Sequence, residues 1–253
     1  MELKIGMVLL VAVGVFCASF MDAIAGGGGI ISLPCYLLAG LPPHMALGTN
    51  KFSSCLGTVA SAGRYAKNGY VDRKLAIPGV LLAMLGAHFG TRLQLQVEDK
   101  YLQYVLLVVL PVVAFVVLRQ RTFPEERGLM EPRARLGIIC AASLIIGTYD
   151  GFYGPGTGTF LLLSYCNLAK LDVRTASGNV KMVNLASNVG ALLTSMANHQ
   201  VFYVLGLIAA VCAIAGQWIG SGVAIRNGSR IVRPVVILVL VLLVIKIISG
   251  FFA

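Results

Sequence analysis

The sequence predicts an all-α, polytopic helical membrane protein built from two inverted five-segment repeats, with short broken helices after glycine-rich turns. Three observations predict it: apolar residues come in long blocks, two glycine-rich breaks occupy corresponding places, and one half of the chain matches the other. Hydrophobic residues make up 58% of the 253 residues and charged residues only 12%, whereas a soluble domain has about 25% charged residues. We therefore expect membrane helices to use up almost the whole chain.

Ten apolar segments account for most of the chain. A helix needs about 20 apolar residues to cross the roughly 30 Å hydrocarbon core of a bilayer, and most segments come close to that length. Segments 27–41 and 156–168 are shorter, and they follow glycine-rich breaks at 26–29 and 154–158. Such interrupted segments, at corresponding places in two halves, are typical of a transporter binding site. The ten segments are 3–22, 27–41, 45–63, 75–91, 101–118, 136–150, 156–168, 175–197, 201–225 and 234–252.

The two halves of the chain match each other. A shift of 130 residues lays 46–91 on 176–221 without a gap, and upstream the shift becomes 128. The scarce residues carry this match: Asp22 meets Asp150, Gly26 meets Gly154, Gly28 meets Gly156, Gly48 meets Gly178, and Lys51 meets Lys181. This internal repeat predicts a first membrane repeat at 1–118, a cytoplasmic linker at 119–135 and a second membrane repeat at 136–253.

The loop charges predict that the halves are inverted. Five segments are an odd number, so the second half should enter the membrane facing the other way. Loop 64–74 has four basic residues against one aspartate, while its counterpart 194–204 has only a histidine. Loop 226–233 has three arginines, while its counterpart near 96–103 has two acids and one lysine. Basic loops face the cytoplasm, so we expect a multi-pass protein of the cell inner membrane whose partner is the lipid bilayer, and no nucleic-acid partner.

Several polar residues lie inside the predicted spans. A charged side chain at the centre of a bilayer costs about 2.5–3.5 kcal/mol on insertion scales, so it usually faces a cavity and has a function. The alternative for Lys51 and Lys181 is that their ammonium groups extend to water at the interface. Lys181, Asn184 and Asn188 share one helix face. That stripe predicts a lining of the permeation path, although hydrogen bonding between helices is the alternative.

The glycine breaks predict an anion site. A helix that restarts after Gly28 or Gly156 points free N–H groups and its positive dipole end into the protein, which favours an anion. The alternative is that the glycines only allow close helix packing. We expect Asp22 and Asp150 to bind a coupling proton or cation. The expected substrate-binding residues are Gly28, Gly29, Thr49, Asn50, Lys51, Gly156, Thr157, Gly158, Asn179, Lys181 and Asn184.

No motif in the sequence predicts catalysis. The chain has no Ser-His-Asp order, no HExxH motif and no CxxC array, and its six cysteines all fall in apolar segments. We therefore expect a protein that is not an enzyme and that has no cofactor and no metal site.

Two stretches of the chain resemble a known family. One is 22–29 followed by Ala46-Leu47-Gly48-Thr49-Asn50-Lys51, and the other is 150–158 followed by Ala176-Ser177-Gly178-Asn179-Val180-Lys181. Together they resemble the sulfite exporter TauE/SafE family of membrane permeases, over nearly the whole chain. The resemblance implies transport, often export, of small sulfur-containing anions such as sulfite, sulfoacetate or other organosulfonates.

These observations predict a secondary transporter, by implication an exporter, that moves a small anion by alternating access around a site at the membrane midplane. A passive anion channel and a cation carrier using Asp22 and Asp150 are the alternatives. The sequence leaves open which anion is moved, the direction of transport, the coupling ion and whether the chain forms a homodimer.

Overall fold

The computed structural model describes residues 5–98, 101, 124, 126–228, 230, 231, 234 and 235. Over these residues the chain is helical and contains no strand, which confirms the all-α class. The predicted segments 101–118 and 234–252 lie almost wholly outside the described residues. The helices are α1 (Ile5–Ala25), α2 (Gly29–Leu38), α3 (Pro43–Lys67), α4 (Arg73–Leu95), α5 (Pro132–Phe152), α6 (Thr157–Leu163), α7 (Val173–Ala197) and α8 (Tyr203–Asn227).

Four of these helices, α1, α4, α5 and α8, are long and apolar enough to cross a membrane. Helix α4 shows how the surface is built. A row of large apolar side chains spaced four residues apart is exposed along one face, as expected of a face that contacts lipid. The row consists of Ile77, Leu81, Leu85, Phe89 and Leu93. Several such helices make the chain a multi-pass membrane protein.

Small residues line the faces where these helices pack together. A Cβ atom added at Gly147 on α5 would lie 2.7 Å from the Cα of Ala83 on α4. One turn further, a Cβ at Gly151 would overlap the backbone of Ala87. Because lipid is as apolar as a leucine side chain, close backbone approach between small residues holds membrane helices together.

The packing of the first half is repeated in the second. Helix α1 packs against α8, and α5, its counterpart, packs against α4. A side chain at Gly48 would collide with the carbonyl of Gln200, and one at Gly178 would collide with the carbonyl of Tyr70. Tyr70 and Gln200 are related by the same shift of 130 residues as the two glycines. Equivalent residues therefore make equivalent contacts. That the halves are inverted across the membrane stays a prediction.

Both broken helices begin where the sequence predicts. Helix α2 starts directly after Gly28 and α6 directly after Gly156. Gly156 has a φ of +89°, a left-handed backbone conformation that residues other than glycine rarely adopt. Helix α6 has only 7 residues and continues into a π-helical turn at Ser164–Leu168. The chain therefore turns sharply before each short helix.

Helix α5 begins at Pro132, so the last residues of the expected linker belong to a helix. Proline favours the first position of a helix because it lacks the N–H that would otherwise be unpaired. The apolar segment predicted from the sequence begins only at residue 136, because Arg133 and Arg135 make the first turn of the helix polar. Arg135 is buried, and its Nε donates to the carbonyl of Ala169 at 2.9 Å while Nη2 donates to the carbonyl of Gly128 at 2.8 Å.

Candidate functional site

The two glycine breaks touch each other. A Cβ atom added at Gly158 would lie 2.7 Å from the Cα of Gly26, and one at Gly29 would lie 3.2 Å from the Cα of Pro155. The hydroxyl of Thr159 donates to the carbonyl of Ala25 at 3.0 Å. The start of α6 therefore packs directly on the turn that follows α1, and only glycine leaves room for this approach.

Two buried salt bridges cross between the halves at this place. Nζ of Lys51 on α3 lies 2.7 Å from Oδ1 of Asp150 on α5, and these side chains are 6% and 3% exposed. Nζ of Lys181 on α7 lies 2.8 Å from Oδ2 of Asp22 on α1, with side chains that are 3% and 16% exposed. Each lysine is therefore paired with the aspartate of the other half, and the four charges sum to zero.

Further hydrogen bonds complete each carboxylate. Asp22 accepts from Nε2 of Gln217 at 2.8 Å and from the backbone N–H of Gly28 at 3.3 Å. The ammonium of Lys181 also donates to the backbone carbonyl of Asp22. These added donors matter because a buried ion pair is tolerated only when its remaining hydrogen-bonding capacity is also satisfied.

The other pair is completed differently. Asp150 accepts from the hydroxyl of Ser187 at 2.7 Å, and Lys51 donates a second hydrogen bond to Oδ1 of Asn188 at 3.2 Å. Asn50, the neighbour of Lys51, accepts from the hydroxyl of Ser32 at 2.7 Å. The two pairs are thus related by the repeat in their charges but not in the neutral groups around them.

A cavity of about 40 Å³ lies between the halves, against both ion pairs and both breaks. One water needs about 10–15 Å³ on this measure, so the cavity has room for about three waters or one small ion. Most of the predicted site residues line it: Gly28, Gly29, Asn50, Lys51, Thr157, Gly158 and Asn184, together with Asp22 and Asp150. The structure therefore brings together residues that are far apart along the chain.

Four predicted site residues do not line this cavity. Lys181 borders a smaller cavity of about 10 Å³ next to Gly26. The hydroxyl of Thr49 accepts from the backbone N–H of Phe202 at 2.9 Å, and Nδ2 of Asn179 donates to a carbonyl of its own helix at 2.8 Å. Gly156 forms the turn before α6. Thr49 and Asn179 are therefore bonded to backbone, and Gly156 shapes a turn.

The structure also adds residues that the sequence did not single out as binding residues. Ser19, Ser32, Ser54 and Gln217 line the cavity, and so does Asn188, which the sequence predicts as part of a permeation lining rather than as a binding residue. Gln217 and Asn188 carry a usable signal, because each is an amide inside an otherwise apolar or small-residue segment. The serines carry none, since serine is common at helix contacts in membranes.

The pairing of both lysines changes the expected electrostatics of the site. The sequence predicts that both lysines bind an anion, whereas each ammonium is neutralised by a carboxylate less than 3 Å away. Sequence spacing could not reveal this, because the partners come from different halves. What remains for a ligand are dipoles: the positive end of α2 and the side-chain amides.

The chain has relatives of similar length. It is 32% identical over 251 residues to probable membrane transporter protein ORF9 of a Sinorhizobium species, covering 98% of this chain and 95% of the relative. It is 29% identical over 243 residues to the probable membrane transporter protein YfcA of Escherichia coli K12, covering 94% and 87%. A probable membrane transporter protein of Haemophilus influenzae is 29% identical over 233 residues, covering 91% and 89%.

No solved structure matches the chain. The family model of the sulfite exporter TauE/SafE matches residues 10–247. This match covers both glycine breaks and every residue that lines the cavity. The chain belongs to the sulfite exporter TauE/SafE family of membrane transporters.

Proposed function

We propose that this chain is a secondary transporter of the cell inner membrane that exports a small sulfur-containing anion, such as sulfite or an organosulfonate. The two halves would expose the cavity alternately to the two sides of the membrane. The observation that carries the proposal is the cavity itself. It lies where both glycine breaks meet, and it has a size that suits an ion of a few heavy atoms.

Hydrogen-bond donors around the cavity support an anion as the ligand. Lysine can only donate, so the oxygen of Asn188 faces Lys51 and the amide nitrogen of Asn188 is left for a ligand. Helix α2 begins at the wall of the cavity, where the positive end of its dipole favours negative charge. The Asn188 amide from one half of the chain and the positive end of α2 from the other could therefore hold the oxygens of one anion.

The ion pairs suggest how transport could be coupled to protons. With Asp150 charged, the ammonium of Lys51 is neutralised and attracts an anion only weakly. A proton on Asp150 would remove the carboxylate charge and leave the positive charge of Lys51 for an anion in the cavity. Binding of a proton and of the anion would then reinforce each other. Asp22 is the second candidate for proton binding, and it forms the equivalent ion pair with Lys181.

Replacement of the lysines tests the proposal. Lys51→Ala and Lys181→Ala proteins, purified and reconstituted into vesicles, are expected to lose most of their sulfite efflux. Lys67→Ala is the matched control, because Lys67 lies on the same helix as Lys51 but is exposed at its end. Full efflux by both lysine variants, made in normal amounts, would contradict the site.

The same vesicles separate the alternatives. Efflux by a proton-coupled carrier should respond to an imposed pH gradient and to an uncoupler, whereas flux through a passive anion channel should follow the anion gradient alone. A cation carrier that uses Asp22 and Asp150 would keep its cation flux without the lysines and lose it in Asp150→Asn. Size-exclusion chromatography with light scattering would test whether the chain forms a homodimer.

A further inference from the structure

Gln217 has one end of its amide fixed and the other end free. It lies on α8 and is only 2% exposed. Its Nε2 donates to Asp22 at 2.8 Å, while its Oε1 has no hydrogen-bond partner among the described residues. Because a carboxylate can only accept, the nitrogen must face Asp22 and the oxygen must be the free atom. A buried acceptor without a partner is costly, so this oxygen calls for a donor.

Gln217 and Asn188 line the same cavity, and the unbonded ends of their amides differ in kind. The oxygen of Asn188 is occupied by Lys51, so its free end is a donor. The nitrogen of Gln217 is occupied by Asp22, so its free end is an acceptor. Neither amide can rotate to exchange its ends without losing a hydrogen bond to a charged group. The two amide side chains that line the cavity therefore have one unbonded donor and one unbonded acceptor, and the two ion pairs set which is which.

The acceptor belongs to one half only. The shift of 130 residues places Ala87 opposite Gln217, and Ala87 is buried with no polar group on its side chain. A ligand that needs both polarities would therefore bind in one orientation. Its oxygens would face Asn188 and Lys51, and its own donor would face Gln217.

We propose that the cavity selects a small oxyanion that carries an N–H or O–H donor of its own, and that Gln217 accepts from that donor. This inference rests on the anion site proposed above and names the class of substrate that the site takes. An oxyanion with no donor would turn a lone pair or a methyl group toward the Gln217 oxygen and leave it unpaired. Sites built around a hydrogen bond reject analogues that lack the bonding group for this reason.

Sulfamate and methanesulfonate form a matched pair of probes. Both are monoanions with three oxygens on sulfur and five heavy atoms, and they differ by an amino group in place of a methyl group. In titration calorimetry on the purified full-length protein, we expect sulfamate to bind about tenfold more tightly than methanesulfonate. One hydrogen bond to a buried acceptor accounts for a difference of that size.

Three single-residue variants test whether Gln217 causes the preference for sulfamate. Gln217→Met has a similar size without an amide and is expected to bind the two anions equally. Gln217→Asn keeps an amide on a shorter side chain, so its preference should also fall. Gln94→Met is the matched control, because Gln94 is a glutamine only 3% exposed on α4 that does not line the cavity. It should keep the full preference for sulfamate.

The outcomes separate this inference from the anion site. Equal binding of both anions by the unaltered protein, or a preference that survives in Gln217→Met, would overturn the role of Gln217 and leave the anion site standing. Binding of neither anion at tens of millimolar would overturn both proposals. The comparison on the unaltered protein is decisive for the selectivity even if Gln217→Met does not fold.

Discussion

Lys51 on α3 and Asp150 on α5 form a buried salt bridge of 2.7 Å that joins the first half of the chain to the second. Lys181 and Asp22 make the related bridge in the opposite sense. If the halves came apart in the membrane, four charges would lose their partners in a medium of low dielectric constant. The two bridges therefore specify how the halves fit together, beyond what apolar packing alone would require.

Removing one member of a bridge should be worse than removing both. Asp150→Asn is expected to lower the free energy of unfolding by about 3–5 kcal/mol, because it leaves the ammonium of Lys51 buried without its counter-charge. The double variant Lys51→Met with Asp150→Asn should recover most of that loss. Chemical unfolding in detergent, followed by circular dichroism, measures both variants.

The exposed ion pair between Asp72 and Arg127 is the control for this comparison. Its atoms are 3.5 Å apart and its side chains are 27% and 41% exposed. Asp72→Asn also keeps a residue that can cap α4, so it should change the free energy of unfolding by less than about 1 kcal/mol. A loss at Asp72 equal to that at Asp150 would show that burial does not decide the effect.

A methyl group at Gly158 should force the two glycine breaks apart. Its Cβ would lie 2.7 Å from the Cα of Gly26, and backbone cannot turn aside as a side chain can. Gly158→Ala is expected to destabilise the protein by about 1–3 kcal/mol and to reduce transport. Thermal unfolding and vesicle efflux of the same preparation measure the two effects.

Gly63→Ala is the matched control for that change. Gly63 lies within α3, and a Cβ atom there would meet nothing within 4 Å. The substitution should raise the free energy of unfolding by about 0.5–1 kcal/mol, because alanine favours a helix over glycine, and it should leave transport unchanged. Equal damage at both glycines would argue against a special role for the crossing at Gly158.

Two turns in the second half contain residues other than glycine in the left-handed backbone conformation. Lys170 has a φ of +55° and His199 a φ of +56°, while the residues 130 positions earlier, Gly40 and Gly69, have φ of +85° and +77°. Lys170→Gly and His199→Gly should each raise the free energy of unfolding by up to about 1 kcal/mol, because glycine adopts this conformation without a steric cost.

The reverse changes check that the effect is conformational. A Cβ atom at Gly40 or Gly69 would meet nothing within 4 Å, so Gly40→Ala and Gly69→Ala should destabilise through backbone strain alone, by about 1–2 kcal/mol. A gain in the melting temperature for either alanine variant would rule out this explanation.

Arg135 fastens the chain before α5 to the turn after α6. Its guanidinium donates in two directions, to Ala169 and to Gly128. Arg135→Lys keeps the charge but cannot reproduce the planar fork, so it should cost about 1–3 kcal/mol and make residues 126–131 more sensitive to protease. Arg133→Lys is the control, because Arg133 is exposed in the same helical turn. Equal protease sensitivity of the two variants would count against this role.

Much of the fold could be predicted from local pattern. Gly28 and Gly156 mark the starts of the short helices because glycine runs end a helix and allow left-handed turns, wherever they lie in the tertiary structure. Apolar blocks likewise predict spans because the bilayer sets a minimum length. The start of α5 at Pro132 is harder to predict from the sequence, because Arg133 and Arg135 lower the hydropathy of its first turn.

The repeat also predicts which charged residues gather around the cavity. It points to Asp22, Lys51, Asp150 and Lys181 because charged residues are scarce in a membrane span and these recur at related positions. The structure brings three of them to the cavity, and the fourth, Lys181, reaches it only through its bond to Asp22. Thr49 and Asn179 share the same sequence pattern but bond to backbone and do not line the cavity.

The sequence by itself determined the helical segments, the breaks between them and the two sets of related residues, because each depends on neighbours along the chain. Only the tertiary structure decided that each lysine pairs with the aspartate of the other half, and that Gln217 and Asn188 present opposite ends of their amides. Those choices depend on which helix faces which, and the packing of small residues over long separations sets that.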